Sequence, residues 1–276
     1  MSIPSPADGT LELGPLNLHA YGLMLAIGVI VAAIVAEKRA TRLGLPEGSI
    51  NEVATVVVIS GVIGARVYHL FTGYSWDEGG IAGALQIWKP GLSIWGAVAG
   101  GAIGAVIMAK RKRLDTLLLF DALAPAVALA QGIGRWGNWF NQELFGRPTT
   151  LPWGLEIDPA HRPFRYFDST TFHPTFLYES LFCIALFFFL SWAEKRFNFR
   201  RGQTLSLYVA LYCTERLAME FLRVDKASQL FGLRFNGILA LVLGIAGYIA
   251  FFRIGRKQVG EVTEADAPDL DVETEQ

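Results

Sequence analysis

The chain is poor in charge. Asp, Glu, Lys and Arg make up 18% of its 276 residues, against 52% hydrophobic residues and a mean hydropathy of +0.37. That balance excludes a water-soluble domain of ordinary composition and points to a membrane protein. Neither sign of charge is in excess: 24 Lys+Arg against 25 Asp+Glu leave a net charge of -1, so composition gives no basis for bulk attraction to nucleic acid. Cysteine is scarce as well. Cys183 and Cys213 both lie in apolar stretches, too few and too far apart for a disulfide framework or a zinc site, and read as small buried hydrophobes. The stretch from Met1 to Leu18 lacks a basic n-region and is polar, with Pro and Gly, so no cleavable signal peptide is expected and the first apolar run reads as a retained span.

Long apolar runs, by contrast, are plentiful. A bilayer core needs about 20 mostly apolar helical residues, and windows of that kind fall near 19–36, 51–71, 92–109, 117–134, 176–193, 204–222 and 236–253. The third and fourth are rich in Gly and Ala, which predicts close helix packing. The expected fold is an all-α polytopic membrane protein with about seven transmembrane helices and an ordered outer loop, or head, over about 136–175. Residues 1–256 form a single catalytic domain in this reading, and 257–276 an acidic cytoplasmic tail that lacks aromatic residues and is expected to be disordered.

Positive charge alternates between the loops. Lys38, Arg39 and Arg42 follow span one; Lys110, Arg111, Lys112 and Arg113 follow span three; Lys195, Arg196, Arg200 and Arg201 follow span five; Arg253, Arg256 and Lys257 follow span seven. These fourteen outnumber the eight on the other side, Lys89, Arg147, Arg162, Arg165, Lys226, Arg234, Arg135 and Arg223. Positive-inside bias then places the N-terminus outside and the C-terminus in the cytoplasm. Two outer segments are more than connectors. Residues 74–91 hold a short apolar piece edged by Trp76 and Trp88, as in an interfacial segment, and residues 136–175 form a long loop whose aromatic content argues against disorder. The absence of an internal repeat weakens a transporter reading.

Several polar residues do not belong in hydrocarbon. Arg66 lies in span two, Asp121 early in span four, and Arg216 and Glu220 in span six. Each is expensive there, so an interior or water-lined position is expected. With the orientation above, Arg66, Arg135, Arg216, Glu220 and Arg223 fall in the outer half of the membrane. Arg216, Glu220 and Arg223 are spaced i, i+4, i+7, so one helix face would carry all three, with Glu220 bridging both arginines. One carboxylate cannot neutralise two guanidiniums, which leaves room for a further anion such as a phosphate. An internal ion-pair network to other helices is the alternative, and Arg66 could equally snorkel to the headgroups. The densest polar cluster is GIGRWGNWFNQELFGRP at 132–148. Its glycines admit close backbone approach, its amides pair donors with acceptors, and its arginines add positive charge. A capping turn with an aromatic belt would explain Trp136, Trp139 and Phe140 but not the amides and charges.

That run resembles the signature of the bacterial phosphatidylglycerol–prolipoprotein diacylglyceryl transferase family, through Gly134, Arg135, Gly137, Asn138, Asn141, Glu143, Gly146 and Arg147. HAYGLMLAIG at 19–28, GARVY at 64–68, HPTFLYES at 173–180 and RLAMEFLRVD at 216–225 agree with the family in order. The resemblance implies a seven-span enzyme of the bacterial plasma membrane. Such an enzyme transfers the diacylglyceryl group of phosphatidylglycerol to the lipobox cysteine thiol of a prolipoprotein, forms a thioether and releases glycerol 1-phosphate. It also implies that Arg135 and Arg216 are catalytic and that Asn138, Glu143, Gly146, Glu220 and Arg223 support them, with Tyr21, Tyr212 and Asp121 at further polar positions of the family. The implied partners are phosphatidylglycerol, the lipobox peptide and membrane lipid. No nucleic acid, metal or cofactor is implied.

Two departures stand out. Where many members carry a His at the start of span three, this chain has Ser93-Ile94-Trp95-Gly96-Ala97, and Trp95 cannot accept a proton; Phe176 stands where a Gln is common. Arg135 and Arg216 are read as phosphate clamps. Arg66 and Arg223 are read as further anion contacts, Asn138, Asn141 and Glu143 as orienting groups, and His19 as a partner of Tyr21 or of a headgroup. Candidate bases are His19, His69, His161, His173 and Glu143, none of which stands out. A channel or transporter would need a polar stripe across the full bilayer depth, and only Asp121 lies near the inner end. A lipid-binding scaffold would explain the arginines without chemistry.

Overall fold

The computed structural model describes residues 2–6, 8–13, 16–72, 74, 80, 83–84, 86, 91, 93–225, 229–230 and 233–265. Seven long helices occur among them: α1 (Ala20–Arg42), α2 (Ser49–Thr72), α3 (Ile94–Arg111), α4 (Thr116–Phe140), α5 (Thr175–Phe197), α6 (Gln203–Leu222) and α7 (Phe235–Ala265). Six are long and apolar enough to cross a bilayer. The remaining one, α6, has 20 residues but carries Glu215, Arg216 and Glu220. Its charge, and not its length, sets it apart. The chain is thus a polytopic all-α membrane protein, with helices where the apolar windows predicted them. Three short antiparallel pairs complete it: β1 (Thr10–Leu13) with β2 (Leu16–His19), β3 (Leu155–Glu156) with β4 (Thr171–Phe172), and β5 (Gln229–Leu230) with β6 (Leu233–Arg234). Trp76, Trp88, Lys89, Lys226 and tail residues 266–276 lie outside the described residues. Residues 257–265, read from sequence as tail, continue α7.

The chain divides into two compact units, Val29–Ala126, and Met1–Gly28 with Val127–Gln276. In the first, α2 and α3 are joined through glycine. A Cβ at Gly64 would fall on the Gly96 carbonyl and 2.9 Å from Gly100 Cα, so the two backbones touch as the small-residue pattern predicted. Ala36, Ala40, Ile50, Val53, Ala105, Ala109, Leu119 and Ala122 fill the core of this unit. Glu37 accepts from the backbone N–H groups of Gly48 (2.6 Å) and Ile50 (3.0 Å), placing an anion on the first turn of α2. Arg39, counted from sequence among the cytoplasmic charges, is buried instead and donates to the carbonyls of Asp121 and Ala122, both at 3.2 Å.

In the second unit α5 ends on Asn198 in the left-handed region (φ 48°), and Gly202 (φ 85°) opens α6. Two such residues reverse the chain within a short turn. α6 then packs on α7 through Gly247, whose Cβ would lie 2.7 Å from Ala210 N. The loop between α4 and α5 is an ordered head. Phe145, Leu155, Ile157, Phe172 and Phe176 form its buried core, with Ile3 and Trp139 against it. Ile3 ties the N-terminal segment to β3, donating to Gly154 O (2.8 Å) and accepting from Glu156 N (2.9 Å).

Candidate active site

The cluster GIGRWGNWFNQELFGRP forms the last turns of α4 and the strand-like exit from it. Asn138 is buried near the helix end, where its Nδ2 donates to Glu143 Oε1 at 2.9 Å; Asn141 Nδ2 donates to the same oxygen at 3.1 Å. Asn138 Oδ1 in turn accepts from Arg135 Nη1 at 3.5 Å. The chain turns through Gln142 (φ 49°) and Leu144 (φ 59°), two non-glycine residues in the left-handed region that flank Glu143. Such backbone costs of order 1–3 kcal/mol per residue and persists only where neighbours hold it. Here they do. Gln142 Nε2 donates to Pro6 O (3.0 Å) and Asp158 Oδ2 (2.6 Å), and Thr175 Oγ1 donates to Leu144 O (2.5 Å).

Gly137 admits the ring of Tyr21, since a Cβ there would come within 3.1 Å of Tyr21 Cγ. That contact brings the Tyr21 phenol within electrostatic range of Glu143 and Arg135. Gly146 threads between β4 and the end of α6. A Cβ on it would meet His173 Cβ at 2.8 Å and Leu222 Cγ at 3.1 Å, its N–H donates to His173 O at 2.9 Å, and it pairs with Arg223 in an isolated antiparallel bridge. Arg147 N extends the tie to Leu222 O at 3.0 Å.

The arginines meet on carboxylates that α6 alone does not supply. Arg135 Nη2 pairs with Glu179 Oε2 of α5, and Arg216 Nη1 lies 3.8 Å from Glu179 Oε1, so one buried carboxylate stands between guanidiniums of α4 and α6. Arg216 Nη2 pairs with Glu220 Oε2 at 2.9 Å. The i, i+4, i+7 reading of α6 is corrected at its third member. Arg223 caps the helix with extended backbone (ψ 148°), leaves the helical face and pairs with Asp225 at 2.7 Å. Glu220 bridges Arg216 instead to Arg234, at 2.5 Å, and Arg234 Nη2 reaches Asp225 Oδ2 at 3.1 Å. Arg216 Nη1 is buried and has no hydrogen-bond acceptor among the described residues. The side chains of Arg135 and Arg216 keep 18% and 16% exposure, so the pair is not sealed from a ligand. Tyr212 stacks on Tyr208 (5.7 Å between centroids) within electrostatic range of Arg135.

The other sequence candidates have different surroundings. In the unit Val29–Ala126, Arg66 is buried and donates to Gly83 O (2.6 Å), Ala84 O (2.9 Å) and Gly91 O (3.2 Å), with Tyr74 under its guanidinium. His69 packs on Gly91, where a Cβ would collide with the imidazole, and Trp95 sits half-buried in the first turn of α3. His19 meets Thr10 Oγ1 at 3.3 Å and lines an apolar groove of about 340 Å³ with Leu18, Gly22, Leu23 and Ala26. His161 is exposed and borders a cleft of about 330 Å³ with Asn141, Glu143 and Asp225. His173 Nδ1 lies 3.2 Å from Tyr178 Oη, which also accepts from Trp153 Nε1 at 3.0 Å, and burial lowers the His173 pKa below its ordinary value. Among the described residues no three His, Cys, Asp or Glu side chains are grouped to hold a metal ion.

Four residues of the cluster, Glu179, Glu215, Asp225 and Arg234, were not singled out from sequence. A signal existed for the first two. Both interrupt apolar windows, the criterion that found Arg66 and Glu220. Asp225 and Arg234 lie in the segment between α6 and α7, and nothing local distinguishes them from surface charge.

A family model described as prolipoprotein diacylglyceryl transferase matches residues 9–253. The chain is similar to the phosphatidylglycerol–prolipoprotein diacylglyceryl transferase 2 of Streptomyces coelicolor, 49% identical over 237 residues, 85% of this chain and 75% of that protein. It is also similar to the transferases of that name from Streptomyces griseus, 45% identical over 94% of this chain and 81% of that protein, and Frankia alni, 43% identical over 92% and 68%.

Proposed function

The chain belongs to the prolipoprotein diacylglyceryl transferase family, and from that premise we propose how the arginine cluster performs the transfer. The enzyme is a membrane transferase of lipoprotein maturation that moves the diacylglyceryl group of phosphatidylglycerol to a prolipoprotein. The phosphodiester of phosphatidylglycerol binds to Arg135 and Arg216. The lipobox cysteine thiolate attacks C3 of the lipid glycerol, a C–S bond forms, the C–O bond to phosphate breaks, and its electron pair leaves on the phosphate oxygen as glycerol 1-phosphate. Negative charge gathers on that oxygen, so preorganised guanidinium donors in a site shielded from water supply most of the stabilisation.

The observation that carries this reading is the open donor on Arg216. A buried guanidinium nitrogen without an acceptor is costly, and a phosphate oxygen would satisfy it while Glu179 holds both arginines in place. Asn138 steadies Arg135 on one side, and Glu143, fixed by two amides, faces the headgroup with Tyr21. Glu220 and Arg223 act as supports through Arg234 and Asp225. The site opens to the outer leaflet, with the N-terminus outside, as the charge count over the loops supports.

The test is direct. Purified protein in phosphatidylglycerol bilayers is incubated with a lipobox peptide, and the peptide is weighed. The expected product is heavier by one diacylglyceryl group, with none formed when phosphatidylcholine replaces phosphatidylglycerol. An unmodified peptide in both membranes would leave a scaffold or transporter role.

A further inference from the structure

Glu215 lies among the arginines of the cluster and enters none of the ion pairs that join them to Glu179, Glu220 and Asp225. It is 7% exposed, on α6 beside Arg216, and neither of its oxygens has a hydrogen-bond partner among the described residues. The groups that face it come from three elements. Arg135 on α4, Glu179 and Cys183 on α5, and Arg216 and Arg223 at its own helix lie within electrostatic range. An isolated carboxylate in such a place is not there for packing, because burying an unpaired charge costs more than an apolar side chain of the same size would.

Charge counting shows what it does. Arg135, Arg216, Arg223 and Arg234 face Glu179, Glu220 and Asp225 in direct pairs, an excess of one positive charge. Ionised Glu215 cancels that excess, and the empty cluster is neutral. A phosphodiester monoanion entering it would make a buried site net negative, unless a proton enters as well. Of the carboxylates set on these arginines, Glu179, Glu220, Asp225 and Glu215, only Glu215 can take it without breaking an ion pair; Glu143 stands apart, held by the amides of Asn138 and Asn141.

We propose that Glu215 takes up one proton when a phosphodiester binds to the Arg135–Arg216 site, from water when the lipid binds alone and from the acceptor thiol when the peptide is already in place. The inference rests on the phosphate-site reading above. At pH 8, where binding is measured, resting Glu215 carries its charge against the arginines. The lipid phosphate then takes over those arginines, the carboxylate is left in a low-dielectric site beside new negative charge, and its protonated form is favoured. With the acceptor peptide bound before the lipid, Glu215 is still a carboxylate when it meets the thiol and that one proton comes from sulfur and not from water: the S–H bond breaks, the O–H bond of Glu215 forms, and the sulfur keeps the electron pair that attacks the glycerol carbon. On departure the phosphate monoester carries its charge out, the arginines are free again, and Glu215 releases the proton to water.

The experiment measures protons directly, without turnover. Dioctanoyl phosphatidylglycerol is titrated into the purified full chain at pH 8 by calorimetry in Tris and in HEPES, whose different ionisation heats report the protons exchanged per lipid bound. The expected result is uptake of about one proton per lipid by the wild type and none by Glu215→Gln, which still binds the lipid. In the coupled assay with peptide, Glu215→Gln should be slowed about 100-fold near pH 7, the lower range for loss of an acid–base group. Its rate should then rise about tenfold per pH unit toward the thiol pKa near 8.5. Lipid binding by the wild type with no proton taken up overturns the inference and needs no folded variant. Uptake that persists in Glu215→Gln also overturns it. If the wild type binds no lipid, the phosphate-site reading falls first and this inference with it.

Discussion

Glu179 and Arg223 show what spacing along one helix can and cannot tell. Arg135, Asn138, Glu143 and Arg216 were legible because polar residues inside or beside apolar windows demand an explanation. Their partners were not. The i, i+4, i+7 argument assumed that the helix continues to Arg223, whereas the chain is extended there and Asp225 takes the guanidinium. Glu179, which stands between Arg135 and Arg216, lies on another helix, so no periodicity within α6 could assign it. His173 yields a prediction at this scale. Tyr178 Oη accepts from Trp153 and can donate to His173 Nδ1 only while that nitrogen is unprotonated. Burial lowers the folded pKa, so the stability this histidine contributes is complete above its unfolded value of about 6.5 and is lost as pH falls through the folded value. Amide exchange at Gly146, whose N–H is bonded to His173 O, should quicken relative to the helix amides on going from pH 7 to pH 5. His173→Gln should abolish that dependence, and an unchanged dependence in the variant would assign it to another group.

Among the elements, the helices were the most legible and the head the least. Apolar windows located all seven, and the Gly and Ala content of span three foretold the tight contact of α3 on α2. The short pairs β3–β4 and β5–β6 could not be foreseen, because two residues per strand give no alternation to read. Nor could the left-handed Gln142 and Leu144, which the head imposes through Pro6, Asp158 and Thr175. The α2–α3 contact makes a second prediction. Gly64→Val would press a side chain on the Gly96 carbonyl and Gly100 Cα, backbone atoms that cannot turn aside. The expected cost is about 1–3 kcal/mol or more, seen as a lower thermal midpoint in detergent. The same change at Gly22, where an added Cβ meets nothing within 4 Å, should leave the midpoint within about 0.5 kcal/mol of wild type. Equal midpoints for both variants would refute the close approach.

For the whole molecule, the distribution of lysine and arginine supports the proposed membrane orientation, and the identity of the partners sets which charges count. Arg39 is an instance: it follows span one with Lys38 and Arg42, yet it is spent on the carbonyls of Asp121 and Ala122. Removing it from the tally leaves the bias unchanged in sign, so the proposed orientation, with the N-terminus outside, keeps its support. The head should therefore face the outer water. A cysteine at exposed Ala160 should react with an impermeant maleimide added to intact spheroplasts, and labelling seen only after lysis would invert the topology. The central claim is that Arg135 and Arg216 grip one phosphate as planar forks, a geometry that lysine cannot reproduce at equal charge. It is tested most directly by the rate of peptide diacylglycerylation in phosphatidylglycerol bilayers for Arg216→Lys and Arg135→Lys, each shown to be folded in the membrane. A loss of at least about 100-fold for each is predicted, the scale of removing one preorganised donor to a developing anion; near-normal turnover by either lysine variant would contradict the clamp.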